Sequence, residues 1–178
     1  MVKTAVEAFG RIDIVINNAG WADVSKFDQT SDAQLWNMLK VHVGGSWNVT
    51  QAAWPHFKKQ KYGRIIMTTS TLMLGGVGQA IYGAAKLALV GLVKSIALEG
   101  KDDNILINSL APSAYTPGVA ATVQNEQVKA VVEKYMPPSE VAPMVLWLVH
   151  DDNRTTGEAF GAAGRLLSRI FVAQTDGF

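Results

Sequence analysis

Two periods run through the apolar positions of this chain. Val2, Ala5, Val6 and Phe9 recur at helical spacing with Gly10 behind them, which predicts an amphipathic helix over 2–9 and a glycine stop. "IDIVINNAG" is then a short β-branched run that breaks into polar residues and glycine, the pattern of a buried parallel strand ending in a loop. Ser31 followed by Gln34 is a capping box, and a helical stretch over 32–60 follows, with Gly44, Gly45 and Pro55 marking a bend or break. "GRIIMTTS" predicts a second buried strand. Residues 80–99 are apolar nearly all round and Gly100 closes them, so this helix is buried on several sides, partly by another subunit. "NILINSLAP" predicts a third strand, stopped by Pro112. Residues 113–138 are polar and irregular, with a helical patch near 124–135, and read as a flap over a site. Ser139 is placed to cap a helix to about 149, with Pro143 tolerated in its first turn. "GEAFGAAG" predicts a fourth strand, and 164–178 shows no clear period.

Strands alternating with helices predict an α/β fold: a Rossmann-like parallel sheet of about four strands flanked by helices, with right-handed crossovers. Residues 1–178 form a single domain. In such sheets the loops at the carboxyl ends of the strands carry the site; here they hold "NNAG", "TTST", "APSAYT" and "AAG". With 178 residues, 48% apolar and 17% charged, the chain is globular. A net charge of +1 offers no electrostatic basis for binding nucleic acid or an anionic membrane. The absence of cysteine removes disulfides, thiol catalysis and thiolate metal sites, and no metal-ligand set stands out. No apolar stretch reaches the ~18 residues that cross a bilayer, and "MVKTAVEAFGR" lacks the apolar core of a secretion signal. A small-molecule substrate inside the cell is the expectation.

The candidate chemistry lies in "QAIYGAAKLA", residues 79–88, where Tyr82 and Lys86 share one helix face. A free phenol titrates near pH 10, and a neighbouring ammonium favours its ionised form. The pair is suited to acid–base work on a carbonyl or hydroxyl. Ser70, at the end of the preceding strand, is placed to hold the reacting oxygen. The plain alternative is a half-buried tyrosine beside a snorkelling lysine.

"NNAG" at 17–20, the strand-end Ser70 and "YGAAK" at 82–86, in that order, resemble the short-chain dehydrogenase/reductase family. "VHVGGSWNVTQAAWPHFKKQKYGRIIMTTS", "GQAIYGAAKLALVGL" and "VAPMVLWLVHDDN" are similar to the 3-hydroxyacyl-CoA dehydrogenase domains of peroxisomal type-two multifunctional enzymes. The resemblance runs from residue 1 to about 164. It implies Tyr82 as the acid–base. Lys86 would tune Tyr82 and hold the nicotinamide ribose, and Ser70 would hydrogen-bond the reacting oxygen. Asn18, Ala19 and Gly20 would line the adenosine side of an NAD or NADP cofactor, and Thr116 would contact the carboxamide. His42 stands where the family commonly has Asn; the role implied there runs through the backbone, as part of a water-linked proton path. The resemblance also implies a homodimer or higher oligomer through residues 32–60 and 80–99.

The family's early strand–turn–helix with its glycine-rich phosphate loop has no counterpart here, so the chain reads as the C-terminal part of the fold. "FGAAG" and "GGVG" do not open a helix after an early strand. Two expectations follow: poor nicotinamide affinity, down to no cofactor at all, and a bare edge on the "DIVINNAG" strand that the tail, another chain or a rearranged dimer must cover. Three readings stay open. One is an NAD(P)-dependent oxidoreductase acting on a hydroxyl or carbonyl. Another is a cofactor-independent isomerase, epimerase, dehydratase or cyclase. The third is a non-catalytic partner subunit.

Overall fold

The computed structural model describes residues 1–123 and 125–177. Its sheet has five strands in sequential order: β1 (Ile14–Asn17), β2 (Gly63–Thr68), β3 (Ile105–Ser113), β4 (Ala159–Ala163) and β5 (Leu166–Ile170). The first four pair in parallel and β5 is antiparallel to β4. The four expected strands are present. The fifth arises where the chain turns at Gly164 and Arg165 and folds "LLSRI" back along the edge, a hairpin whose strand stays largely exposed.

Seven helices connect and flank the strands: α1 (Val2–Phe9), α2 (Asp32–Leu39), α3 (Gly45–Gln60), α4 (Ala80–Gly100), α5 (Pro117–Thr122), α6 (Glu126–Tyr135) and α7 (Ala142–Val149). Ser31 and Gln34 form the capping box in full. The expected interruption of the 32–60 stretch falls at Lys40–Gly44, which form a π-helical turn, whereas Pro55 stays inside α3. Alternation along β2 divides the core. Ile65 and Met67 face α3 and α4 together with Phe57, Leu89 and Val93. Ile66 faces the opposite layer, where Met144 and Leu148 of α7 pack with Leu110 and Ala162. Both faces of the central strands are thereby buried, as a parallel sheet requires.

Two sequence expectations are corrected. Pro112 does not stop β3, which runs on to Ser113. β2 ends opposite Leu110, so beyond that point β3 has a neighbour on one side only, and the missing proline N–H breaks no ladder there. Ser139 is not a helix cap: it lies in a 3₁₀ turn over Pro138–Glu140, and α7 begins at Ala142 with Pro143 in its first turn. The helical patch near 124–135 is α6 from Glu126, and position 124 lies outside the described residues.

The membrane argument also changes. Ala80–Asp103 is by length and composition apolar enough to cross a bilayer. Its hydropathy has a different cause, since Leu89, Val93 and Ala97 are sealed against the sheet and Ala85 packs with Met38 of α2. β1 pairs only with β2 among the described strands and half-exposes Ile14 and Ile16. The tail does not cover that edge, because β5 lies at the other end of the sheet.

Candidate active site

The carboxyl ends of β1, β2 and β3 converge on the start of α4. Thr68 Oγ1 donates to Asn18 Oδ1 at 3.1 Å, which ties the end of β1 to the end of β2. Asn17 Nδ2 donates to Thr50 Oγ1 at 3.0 Å and anchors the same turn to α3. Beyond β2 the chain enters a 3₁₀ turn, Thr71–Leu74, capped by Ser70, whose Oγ accepts from the Leu72 N–H at 3.2 Å. α4 comes close to this turn because residue 83 has no side chain: a Cβ there would lie 2.9 Å from the Leu72 carbonyl oxygen. The glycine of "YGAAK" is thus what brings Tyr82 beside Ser70.

The structure brings Ser70, Tyr82 and Lys86 together. Ser70 lies near enough to the phenol to hydrogen-bond it and so favour its ionised form. Such bonds commonly tighten only when substrate binds. Thr69, the other hydroxyl beside Ser70, is turned inward and buried without a partner, so it does not stand in for Ser70. Lys86 is 3% exposed, and its ammonium donates to the Thr68 carbonyl at 2.6 Å. It lies 5.5 Å from the centre of the Tyr82 ring. Burial lowers its pKa from 10.5 to about 8.

The expectation that Lys86 acidifies Tyr82 is not met in this geometry. Burial raises the phenol above its ordinary range, and the opposing influence comes from Ser70. The physical reason is aim: the ammonium is directed at a backbone carbonyl rather than at the phenolic oxygen. Tyr82 is therefore a neutral proton donor at pH 7.

His42 is the side chain the sequence undervalued. It is 2% exposed and sits in the π-helical turn. Its Nε2 lies 2.8 Å from the Trp21 carbonyl oxygen. A carbonyl only accepts, so Nε2 carries the proton and Nδ1 is left a buried acceptor with no partner. Burial, then the charge of Lys86, pushes the imidazole pKa down and keeps it neutral. Its own carbonyl accepts from Ser46 Oγ at 2.7 Å. The ring meets Tyr82 edge-on at 5.6 Å and 86°. The signal in the sequence was only a histidine among apolar residues, which is more often structural than functional.

Gly20 is explained by the same ring, since a Cβ at 20 would lie 2.2 Å from the His42 Cε1 atom. Gly20→Ala is expected to cost about 1–3 kcal/mol, because a well-packed site does not yield to an added methyl. Urea denaturation measures the loss, and Gly20→Ala placed in a His42→Ser background should recover most of it.

The other implied cofactor contacts are less concentrated. Asn18, Ala19 and Gly20 form an exposed lip beside the site. Thr116 is also exposed, and its hydroxyl caps α5 by accepting from the Val119 N–H at 3.3 Å. For a nicotinamide dinucleotide the fit is confined to one end. A buried ammonium and the neighbouring unpartnered polar atoms, His42 Nδ1, Thr69 Oγ1 and Gln79 Oε1, suit the nicotinamide ribose end. No glycine-rich strand-to-helix turn for a pyrophosphate occurs among the described residues. Nor do the described residues group three metal-ligating side chains. Two cavities, of about 620 Å³ between α7 and the β4–β5 hairpin and about 290 Å³ between α3 and α4, both lie away from Tyr82.

This arrangement on this fold defines an α/β enzyme scaffold of the dehydrogenase type, and the comparisons agree. The short chain dehydrogenase family matches residues 1–128, and the chain belongs to that family. It is 41% identical over 179 residues to the mouse peroxisomal multifunctional enzyme type 2, covering 99% of this chain and 24% of that protein. It is 46% identical over 153 residues to the Neurospora crassa peroxisomal hydratase-dehydrogenase-epimerase, covering 85% of this chain and 16% of that one. The solved full-length peroxisomal multifunctional enzyme type 2 of Drosophila melanogaster superposes with a TM-score of 0.78 at 32% identity, over 92% of this chain and 29% of that one. The chain thus spans a quarter or less of the length of the two curated relatives.

Proposed function

We propose that this chain is a short-chain dehydrogenase/reductase-type oxidoreductase acting on a hydroxyl or carbonyl substrate of the 3-hydroxyacyl kind. One observation carries the reading: a buried ammonium lies beneath a half-buried tyrosine whose neighbour is a strand-end serine. The relatives named for a dehydrogenase activity support the same class. Peroxisomal relatives support a location in the peroxisome or cytoplasm.

In the reductive direction Ser70 orients the substrate oxygen and Tyr82 gives it a proton, for which its raised pKa leaves it protonated at neutral pH. In the oxidative direction Tyr82 takes the hydroxyl proton, a step favoured by rising pH. Lys86 supplies positive charge beneath the ring and would hold the nicotinamide ribose; Asn18, Ala19, Gly20 and Thr116 would complete the binding of NAD or NADP. A bound nicotinamide supplies or accepts the hydride. His42 positions the turn that follows Gly20 and presents its ring edge to Tyr82.

A homodimer or higher oligomer through residues 32–60 and 80–99 belongs to the same proposal. It is supported by exposed Trp36, Trp47 and Leu98 on those helices and by the groove between α3 and α4, and sedimentation equilibrium reports it. The decisive test of activity is oxidation of NADH or NADPH monitored with a 3-oxoacyl thioester. Turnover that depends on both components supports the reading, and none at millimolar cofactor overturns it.

A further inference from the structure

Trp21, the first residue after "NNAG", is held rigidly although its side chain has no assigned task. Its carbonyl is fixed by the buried His42 Nε2 at 2.8 Å, and His42 is itself packed against the bare Cα of Gly20. The indole is 45% exposed and meets the imidazole at 5.7 Å and 44°. The imidazole in turn stands edge-on to the Tyr82 ring at 5.6 Å. Trp21 is therefore two ring contacts from the phenol, with much of its face open and its indole nitrogen unpaired among the described residues.

Its surroundings are apolar. Val24 on the same loop, and Leu74 and Val77 on the loop between Ser70 and Tyr82, are exposed large hydrophobic residues. The two loops are joined by the Ser25 N–H donating to the Gly78 carbonyl at 3.0 Å. One exposed apolar side chain is ordinary, but exposed apolar residues on two cross-linked loops, one of which leads from Ser70 to Tyr82, offer a surface for a ligand. A cation is a poor occupant, because the Lys86 ammonium already makes the local field positive. A rigid indole costs little entropy to engage. It distinguishes rings from chains, since ring pairs gain an interaction beyond the area they bury.

We propose that Trp21 is a specificity-determining residue that gives the site an aromatic wall, selecting substrates with a planar aromatic group beside the reacting carbon. This rests on the dehydrogenase reading for the identity of the reacting carbon, but the binding preference is measurable without turnover. Saturation-transfer NMR titrations would compare a benzoylacetyl thioester with its cyclohexyl counterpart, in which a puckered saturated ring replaces the planar aromatic one. Wild type should bind the aromatic compound about two- to tenfold more tightly. Trp21→Leu should bring the ratio near one, while Trp21→Phe keeps most of it. The His42 clamp acts on the backbone, so both variants should fold, as circular dichroism reports. A ratio near one in wild type, a ratio that survives in Trp21→Leu, or no binding of either thioester overturns the proposal. Repeating the titration in Tyr82→Phe separates the two readings. A preserved ratio in a Tyr82→Phe protein that is as active as wild type refutes the catalytic assignment and leaves the aromatic wall standing.

Discussion

Tyr82→Phe lowers the turnover of carbonyl reduction by about 10²–10⁴-fold, the usual contribution of a positioned acid–base group. The fold survives. The Tyr82 ring packs with Leu35, Leu39 and Val43 around Met38, Ile81 and Ala85, and phenylalanine keeps that contact. The polar neighbour of the hydroxyl is Ser70, so its removal costs about 1 kcal/mol. Steady-state kinetics beside a thermal melt checks both halves, and wild-type turnover in the variant would remove Tyr82 from the chemistry. Because burial raises the phenol, the oxidative direction gains rate as pH increases toward the tyrosine range, and Tyr82→Phe abolishes that dependence.

Lys86→Met should separate activity from stability. Turnover falls by about 10²-fold or more, because the positive charge beneath the reacting pair is lost. Stability rises. The folded pKa of Lys86 is lowered to about 8 from 10.5. Below pH 8 both folded and unfolded chains carry the proton, and the native state bears the whole cost of burying the charge. Between about 8 and 10.5 the unfolded chain binds more protons, so stability climbs with pH across that window. Methionine removes the cost, about 3 kcal/mol, and loses the bond to the Thr68 carbonyl, about 1 kcal/mol. The net gain of about 2 kcal/mol appears at pH 7 as a melting temperature higher by about 4–8 °C. A melting temperature that falls would mean that the ammonium stabilises the fold. In wild type the reductive rate should decline above pH 8 as Lys86 loses its charge.

Much of the architecture was legible because it depends on local pattern. β-branched runs ending in glycine or polar residues became β1 to β3, the alanine- and glycine-rich "GEAFGAAG" became β4, and Ser31 with Gln34 became a capping box. The tail was not legible. "LLSRI" forms a strand only because β4 offers an unpaired edge for it to fold back on. Pro112 misled for a related reason, since whether a missing N–H matters depends on which neighbouring strand has already ended. In the site, "YGAAK" announced Tyr82 and Lys86, and the loop length placed Ser70 within reach. The packing of His42 against Gly20 and the Trp21 carbonyl was not legible, because a histidine in an apolar helix carries no local signature of its partners.

By itself the sequence determined the order of elements, the helix face shared by Tyr82 and Lys86, and the family to which the chain belongs. These follow from periodicity and from motifs of fixed spacing. Only the tertiary structure decided where the Lys86 ammonium points, that His42 stays neutral and holds the Trp21 carbonyl, and that burial raises the Tyr82 phenol. The reason is that pKa values and hydrogen-bond partners depend on burial and on atoms distant in the chain, which no local pattern of residues specifies.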